Sequence, residues 1–117
     1  QKLNALRNEG VLIFGSGNVV HNLARVDWRM NNGQPWALEF DHYIQEAILN
    51  KNHDAVIHFE RMGQAAELSV PSMDHFAPLL YILGASDPDD EISFVNTDCT
   101  LGSMCMASYL FSPKASK

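Results

Sequence analysis

Two histidines stand where an imidazole could carry chemistry. His21 follows a glycine-containing segment, residues 15–18, which itself follows the apolar run 11–14. Ligands of α/β proteins commonly bind where a buried strand ends, so an imidazole there has a rigid base. His75 precedes a second apolar stretch, residues 76–83. An imidazole serves as a metal ligand and as an acid or base near neutral pH.

His21 is therefore our first candidate for a catalytic residue, and His21 together with His75 is the candidate metal-binding pair. Each is predicted to lie at the start of a capped helix, next to a turn that contains glycine or proline. The residues alone leave two roles open for the pair. The two side chains either act together on a metal or a proton, or they are only hydrogen-bonded at two helix starts.

The other three histidines have simpler explanations. His42 lies beside Asp41 on the polar side of a predicted amphipathic helix. His53 and His58 are spaced so that they point roughly 140° apart on a helix, which does not suit a chelating pair. Asp54 and His58 have the spacing of a surface contact on one helix face.

A nucleotide-binding loop is a second interpretation of the glycine segment. A dinucleotide-binding fingerprint needs a third glycine, where this chain has Val20, and the segment lacks the lysine of a phosphate-binding P-loop. A Rossmann fold remains an alternative with little support.

Cys99 and Cys105 match neither the C-x-x-C spacing of a redox site nor a zinc knuckle. Their neighbours Leu101, Met104 and Met106 favour packing over reactivity. We expect two reduced, mostly buried thiols.

Composition indicates one soluble domain. The chain has 117 residues, of which 46% are hydrophobic, and a net charge of −6. It has no lysine or arginine cluster, so nucleic-acid binding is not expected. It also lacks an apolar stretch of membrane-spanning length and the layout of a signal peptide, so a cytoplasmic protein without membrane contact is expected. Because the chain begins at Gln1 with what reads as the end of a helix, we expect it to be part of a longer protein.

Apolar spacing predicts the main elements. Residues 3–9 form a short helix ended by Gly10, and 11–14 form a buried strand. Asn18 caps a brief helical turn that carries His21. Residues 36–49 form an amphipathic helix with Glu39, Asp41, Gln45 and Glu46 on its polar face.

Further helices are predicted over 52–59, over 61–68 with a break near Gly63, and over 71–84 with Pro78 in the first turn or at a kink. Strands are predicted over 92–96 and 104–111, separated by a turn at Gly102. Together these elements predict an α/β fold with a central, mostly buried sheet flanked by helices.

Four segments resemble the class III, LigB-type extradiol ring-cleaving dioxygenases, with the DOPA 4,5-dioxygenase-like enzymes as the most similar subgroup. They are GSGNVVHNL at 15–23, PWA at 35–37, DHFAPLLYILGA at 74–85 and GSMCMAS at 102–108. The resemblance runs through nearly all of the chain in order, and it covers the C-terminal part of the family's single catalytic domain.

The resemblance implies a specific chemistry. Family members are α/β proteins that open catechol-type rings with O2 at a non-haem Fe(II), sometimes replaced by Zn(II). His21 and His75 fall on histidines of the metal pocket. The glycine-loop histidine instead acts as an acid/base in some relatives, so the resemblance implies either role for His21. The family's other pocket histidines come from its N-terminal half, which would be a partner of these residues. Asn18, Asn22 and Trp28 are possible pocket residues, with capping or packing as the simpler role.

The resemblance thus identifies the chain as part of a metal-dependent extradiol dioxygenase. An iron(II) site that activates O2 needs about three imidazole or carboxylate ligands, so two histidines are not enough. The alternative is a non-catalytic fragment or binding module whose histidines only cap helices.

Overall fold

Five helices and five strands make up the described part of the chain, residues 3–113 of a computed structural model. The helices are α1 (Asn4–Arg7), α2 (Pro35–Leu49), α3 (His53–Ile57), α4 (Gln64–Ser69) and α5 (Ala77–Ala85). The strands are β1 (Val20–His21), β2 (Glu91–Val95), β3 (Cys99–Thr100), β4 (Met104–Cys105) and β5 (Ser108–Ser112). Two short 3-10 helices cover Leu23–Arg25 and Phe59–Met62.

The strands form two small antiparallel sheets. In the first sheet β4 lies between β1 and β3, and in the second β2 pairs with β5 along its whole length. Helices and strands together confirm the predicted α/β class. The sheets are short because β1, β3 and β4 have only two residues each.

Helix α2 organises the core. Its apolar residues recur every three to four positions, so one face of the helix is buried, as predicted. The buried apolar side chains of α2 are Ala37, Phe40, Ile44, Ala47 and Ile48. Phe40 contacts the rings of Phe59 and Phe76 at centroid distances of 6.0 and 6.2 Å, which joins α2 to the segment before α5.

The predicted strand at 11–14 and the helical turn capped by Asn18 are wrong for this structure. Residues 11–18 have no regular structure, and Leu12 and Phe14 are each 82% exposed. A strand needs a neighbour for its backbone hydrogen bonds, and none of the described strands pairs with this segment. His21 lies in β1 instead of a helix, and the 3-10 helix that follows is capped by Asn22, which accepts from the Ala24 amide at 3.1 Å.

The C-terminal strands also differ from the prediction. The expected strand 104–111 is divided into β4 and β5. Cys99 and Cys105 are buried as expected, but they form a disulfide, so the prediction of reduced thiols is wrong. The two residues lie directly opposite each other on β3 and β4, which places their side chains on the same face of the sheet.

Helix α5 is shorter than its predicted range of 71–84. It starts at Ala77, with Pro78 in its first turn, where a missing amide hydrogen costs nothing. His75 therefore lies in the turn before the helix. Between residues 3 and 113, no helix has both the length and the apolar character needed to cross a membrane.

Asp41 differs most from its predicted surroundings. It was expected on the polar face of α2, yet it is only 4% exposed. Its Oδ2 accepts a hydrogen bond from Gln45 Nε2 at 2.7 Å, while Oδ1 has no partner. Burial raises the pKa of Asp41 to about 6, although Gln45 opposes the shift.

We expect Asp41→Asn to be more stable than the wild type at pH 7, by about 2 kcal/mol. The folded state holds the Asp41 proton to a higher pH than the unfolded chain does. Wild-type stability should therefore fall as the pH rises from 4 towards 7, and Asp41→Asn should lack that part of the fall. Urea unfolding at both pH values measures the difference. Equal pH dependence in the two proteins would contradict the shift.

Candidate metal centre

The imidazole rings of His21 and His75 lie against each other. Their centroids are 3.7 Å apart and their planes differ by 18°, so the rings are stacked. Two segments that are distant in sequence thus bring together the two histidines singled out above. The other three histidines do not join them. His58 instead contacts Asp54 at 3.4 Å, as its spacing predicted.

Strand β1 fixes the position of His21. Val20 lies opposite Cys105 and is fully buried, whereas His21 lies opposite Met104 and is half-buried. Side chains alternate along a strand, so burial of Val20 directs His21 to the other face. The backbone of Asn22 continues the pairing, because its amide donates to the Ser103 carbonyl at 3.1 Å.

A close contact between two backbone segments fixes His75. The Asn18 amide donates to the His75 carbonyl oxygen at 2.7 Å. A Cβ atom at Gly17 would lie 2.3 Å from the same oxygen, so only glycine permits this approach. The next residue, Phe76, is 1% exposed and packs on Phe59 at a centroid distance of 4.6 Å.

Gly17 is the positioning residue that the sequence alone did not identify. Its neighbour Gly15 is also constrained, since a Cβ there would lie 2.8 Å from the Ile82 side chain. The sequence did show two glycines just before His21, but it did not show that they face the segment around His75.

The surroundings of the pair favour a neutral His21. Burial, and then the charge of the adjacent His75, lower the pKa of His21. A neutral imidazole has a free lone pair, which both metal binding and proton uptake require.

A mostly apolar cavity begins at His75. Its volume is about 580 Å³, in the range of small-molecule sites. The loop 11–19, one side of α5 and residues 107–111 line it, and Asn18 lies at its wall.

The other predicted pocket residues have structural roles or lie outside the site. The side chain of Asn18 donates to the Cys105 carbonyl at 2.9 Å, which ties the glycine loop to β4. Asn22 is buried, and its amide donates to the Leu68 carbonyl at 2.7 Å. Trp28 is 81% exposed and is not among the residues that line the cavity.

Comparison with known proteins places this chain in a family. Residues 1–112 match the family described as the catalytic LigB subunit of aromatic ring-opening dioxygenase. This chain belongs to the LigB family. The match includes both histidines, the glycine loop and the strands that hold them.

Individual LigB-type relatives are similar over most of this chain. A protein of Escherichia coli K12 named 4,5-DOPA dioxygenase extradiol is 37% identical over 113 residues, which are 92% of this chain and 41% of that protein. A protein of the same name from Mirabilis jalapa is 31% identical and shares 98% of this chain and 43% of its own length. This chain thus spans less than half the length of these relatives.

A solved structure has the same fold. The crystal structure of an uncharacterised E. coli K12 protein matches with a TM-score of 0.75 and 33% identity. The match covers 91% of this chain and 46% of that one. Its agreement with the described residues supports the α/β fold of this chain.

The residues present fit part of a LigB-type metal centre. Two imidazoles are suitable ligands for Fe(II) or Zn(II). The nitrogen lone pairs of an imidazole lie in the plane of its ring, so in this stack they lie in two nearly parallel planes. A shared ion therefore requires one ring to tilt, and His75 is exposed enough to do so. Within residues 3–113, no acidic, cysteine or further histidine side chain completes a three-ligand group with this pair.

Proposed function

We propose that this chain contributes His21 and His75 to the metal centre of an extradiol ring-cleaving dioxygenase that acts on a catechol-type, DOPA-like ring with O2. The observation that carries the proposal is the contact between the two imidazoles, formed by segments of a LigB-family chain. The relatives' shared name supports a DOPA-like substrate. The remaining metal ligands come from the rest of a single LigB-type domain, of which these residues form the C-terminal part. The proposed enzyme is cytoplasmic.

The proposed metal is Fe(II), with Zn(II) as an ion that the same ligands accept. When bound, it supplies Lewis acidity towards the catechol oxygens and a place for O2 next to them. The chain's own part is to hold two imidazoles close together. A neutral imidazole has a single free lone pair, so His21 acts either as a metal ligand or as a base. As a base it takes a proton from a catechol hydroxyl at its ring nitrogen and returns it to the product, and its lowered pKa keeps that nitrogen free of a proton at pH 7.

The apolar cavity beside His75 supports a planar aromatic substrate. Apolar walls favour burial of a ring, and polar lining residues such as Asn18 and His75 offer hydrogen-bond partners for its hydroxyl groups. Of the pair, His75 lines the cavity and His21 does not, so a ring bound there would contact His75.

We expect His21→Ala and His75→Ala each to lower the affinity for Zn²⁺ by at least about tenfold, because each removes one of two ligands. Calorimetric titration of the folded chain measures the affinity. His42→Ala is the matched control, since His42 is an exposed histidine on α2. The stack should also open on metal binding, which moves the ring proton signals of both histidines in NMR spectra.

Oxygen uptake with a catechol tests the activity itself, in the chain alone and in a protein of the relatives' full length that carries it. Activity only in the longer form, lost in both histidine variants, is the expected result. Metal affinity unchanged in His21→Ala and His75→Ala would contradict the proposal and favour a binding module whose histidines have a structural role.

A further inference from the structure

A second group of potential ligands lies on the other face of the small sheet. A carboxylate oxygen of Asp41 and the sulfur atoms of Cys99 and Cys105 all lie within 4.8 Å of one another. All three residues are buried. Cys105 lies opposite Val20, whose side chain faces the core, so this group is separated from His21 by the sheet.

We propose that Cys99, Cys105 and Asp41 bind a thiophilic divalent cation, represented by Zn²⁺, when the disulfide is reduced. The disulfide and the metal-bound dithiolate are then two alternative states of one site. This proposal is independent of the histidine pair and of the dioxygenase activity.

The unpartnered Oδ1 atom of Asp41 is evidence that a ligand binds here. Asp41 is 4% exposed, and its Oδ1 is buried without a hydrogen-bond partner. Buried carboxylates are normally paired or bound to a metal, because an unsatisfied buried oxygen is unfavourable. The Tyr109 hydroxyl, which interacts with the charge of Asp41, is also buried without a partner. Two buried polar groups, one of them on Asp41 itself, therefore have no hydrogen-bond partner.

The ligand types and their spacing suit Zn²⁺. Zinc takes thiolate sulfur at about 2.3 Å and carboxylate oxygen at about 2.0–2.2 Å in a tetrahedral arrangement. Ligand atoms around such an ion lie roughly 3.5–4 Å apart, so the sulfurs must separate once their bond is broken. The carboxylate is already within reach. Three protein ligands leave one position for water.

The chemistry balances with a dithiol reductant. The reductant transfers two electrons and two protons to the Cys99–Cys105 bond and becomes a cyclic disulfide. The protein then carries two thiols, and Zn²⁺ replaces their two protons. Cys105 Sγ lies 3.9 Å from the Ala37 carbonyl oxygen, which a thiol can use as a hydrogen-bond acceptor before the metal binds.

The disulfide closes only a short loop, so its reduction should cost the fold little stability. Cys99 and Cys105 are six positions apart in sequence. A short loop restricts the unfolded chain less than a long one, so its closure stabilises the fold less. Backbone pairing of β3 with β4 keeps the two residues adjacent after reduction.

Cobalt spectroscopy of the full chain tests the proposal. Co²⁺ replaces Zn²⁺ and gives an intense near-ultraviolet band only when thiolates are ligands, so the histidine pair does not contribute to it. We expect the band in the phosphine-reduced wild type and in the double variant His21→Ala/His75→Ala. It should be absent from the oxidised chain and from Cys99→Ser/Cys105→Ser, and Zn²⁺ should remove it by competition.

Asp41→Asn keeps the shape of the side chain and should lower the Co²⁺ affinity of the reduced chain by at least tenfold. Glu39→Gln removes one charge from the exposed side of the same helix and should leave the affinity unchanged. Circular dichroism checks that each variant is folded. A reduced, folded wild type without the band overturns the proposal, as does an Asp41→Asn variant that binds Co²⁺ as tightly as Glu39→Gln.

Discussion

Gly17→Ala should destabilise the chain by about 2–3 kcal/mol and weaken metal binding by the histidine pair. The new Cβ would lie 2.3 Å from the His75 carbonyl oxygen and 3.1 Å from its carbonyl carbon. Both are backbone atoms, so no side-chain rotation relieves the overlap. The two segments must move apart, which breaks the hydrogen bond from the Asn18 amide to His75.

Ser16→Ala is the matched control, because Ser16 is exposed and adjacent to Gly17. Urea unfolding of both variants measures stability, and calorimetric titration with Zn²⁺ measures the affinity of the pair. A Gly17→Ala protein with the stability and affinity of Ser16→Ala would show that the close approach is not needed.

Helix α2 was predictable because its signal is local. Apolar residues at three-to-four spacing define its buried face, and Pro35 occupies its first turn. The 3.6-residue period needs no knowledge of the rest of the fold. The burial of Asp41 was not predictable in this way. The helix period places Asp41 with its polar neighbours, but in the structure it is buried next to Cys99 of β3 and Cys105 of β4.

Strand predictions were less reliable because a strand depends on a partner. Residues 11–14 have the composition of a strand, but no described strand pairs with them. The disulfide depends on register in the same way. Only the pairing of β3 with β4 shows that Cys99 faces Cys105, whereas their spacing matches neither a C-x-x-C redox site nor a zinc knuckle.

For the candidate site, the residues were predictable from the sequence but their contacts were not. The residue types and the family resemblance identified His21 and His75, because each lies in a distinct motif. Their stacking, and the role of Gly17 in it, depend on contacts between distant segments. No periodicity within one segment carries that information.

Arg7→Met should destabilise the chain by about 3 kcal/mol, because it leaves a buried carboxylate without its partner. Arg7 Nη1 and Nη2 donate to the two carboxylate oxygens of Asp90 at 2.7 and 3.1 Å. Nη1 also donates to the Ala85 carbonyl at 3.1 Å, so this side chain joins α1 to the end of α5. The Asp90 side chain is only 2% exposed.

The stability that the Arg7–Asp90 ion pair contributes should depend on pH, because Asp90 titrates. Burial acts to raise the pKa of Asp90, but the hydrogen bonds from Arg7 and from the Asp87 amide outweigh it and hold the pKa below its ordinary value. The stabilisation is therefore present above the pKa of the unfolded chain and is lost as the pH falls through the lower folded value. The difference between wild type and Arg7→Met should shrink in acid.

Arg29→Met is the control for Arg7→Met. Arg29 is 95% exposed and lies 3.9 Å from Asp27, so its loss should change the free energy of unfolding by less than about 0.5 kcal/mol. Urea unfolding of both variants at neutral and acidic pH separates a buried ion pair from a surface one. If the two variants lost equal stability at pH 7, the bond between Arg7 and Asp90 would not be what holds α1 against α5.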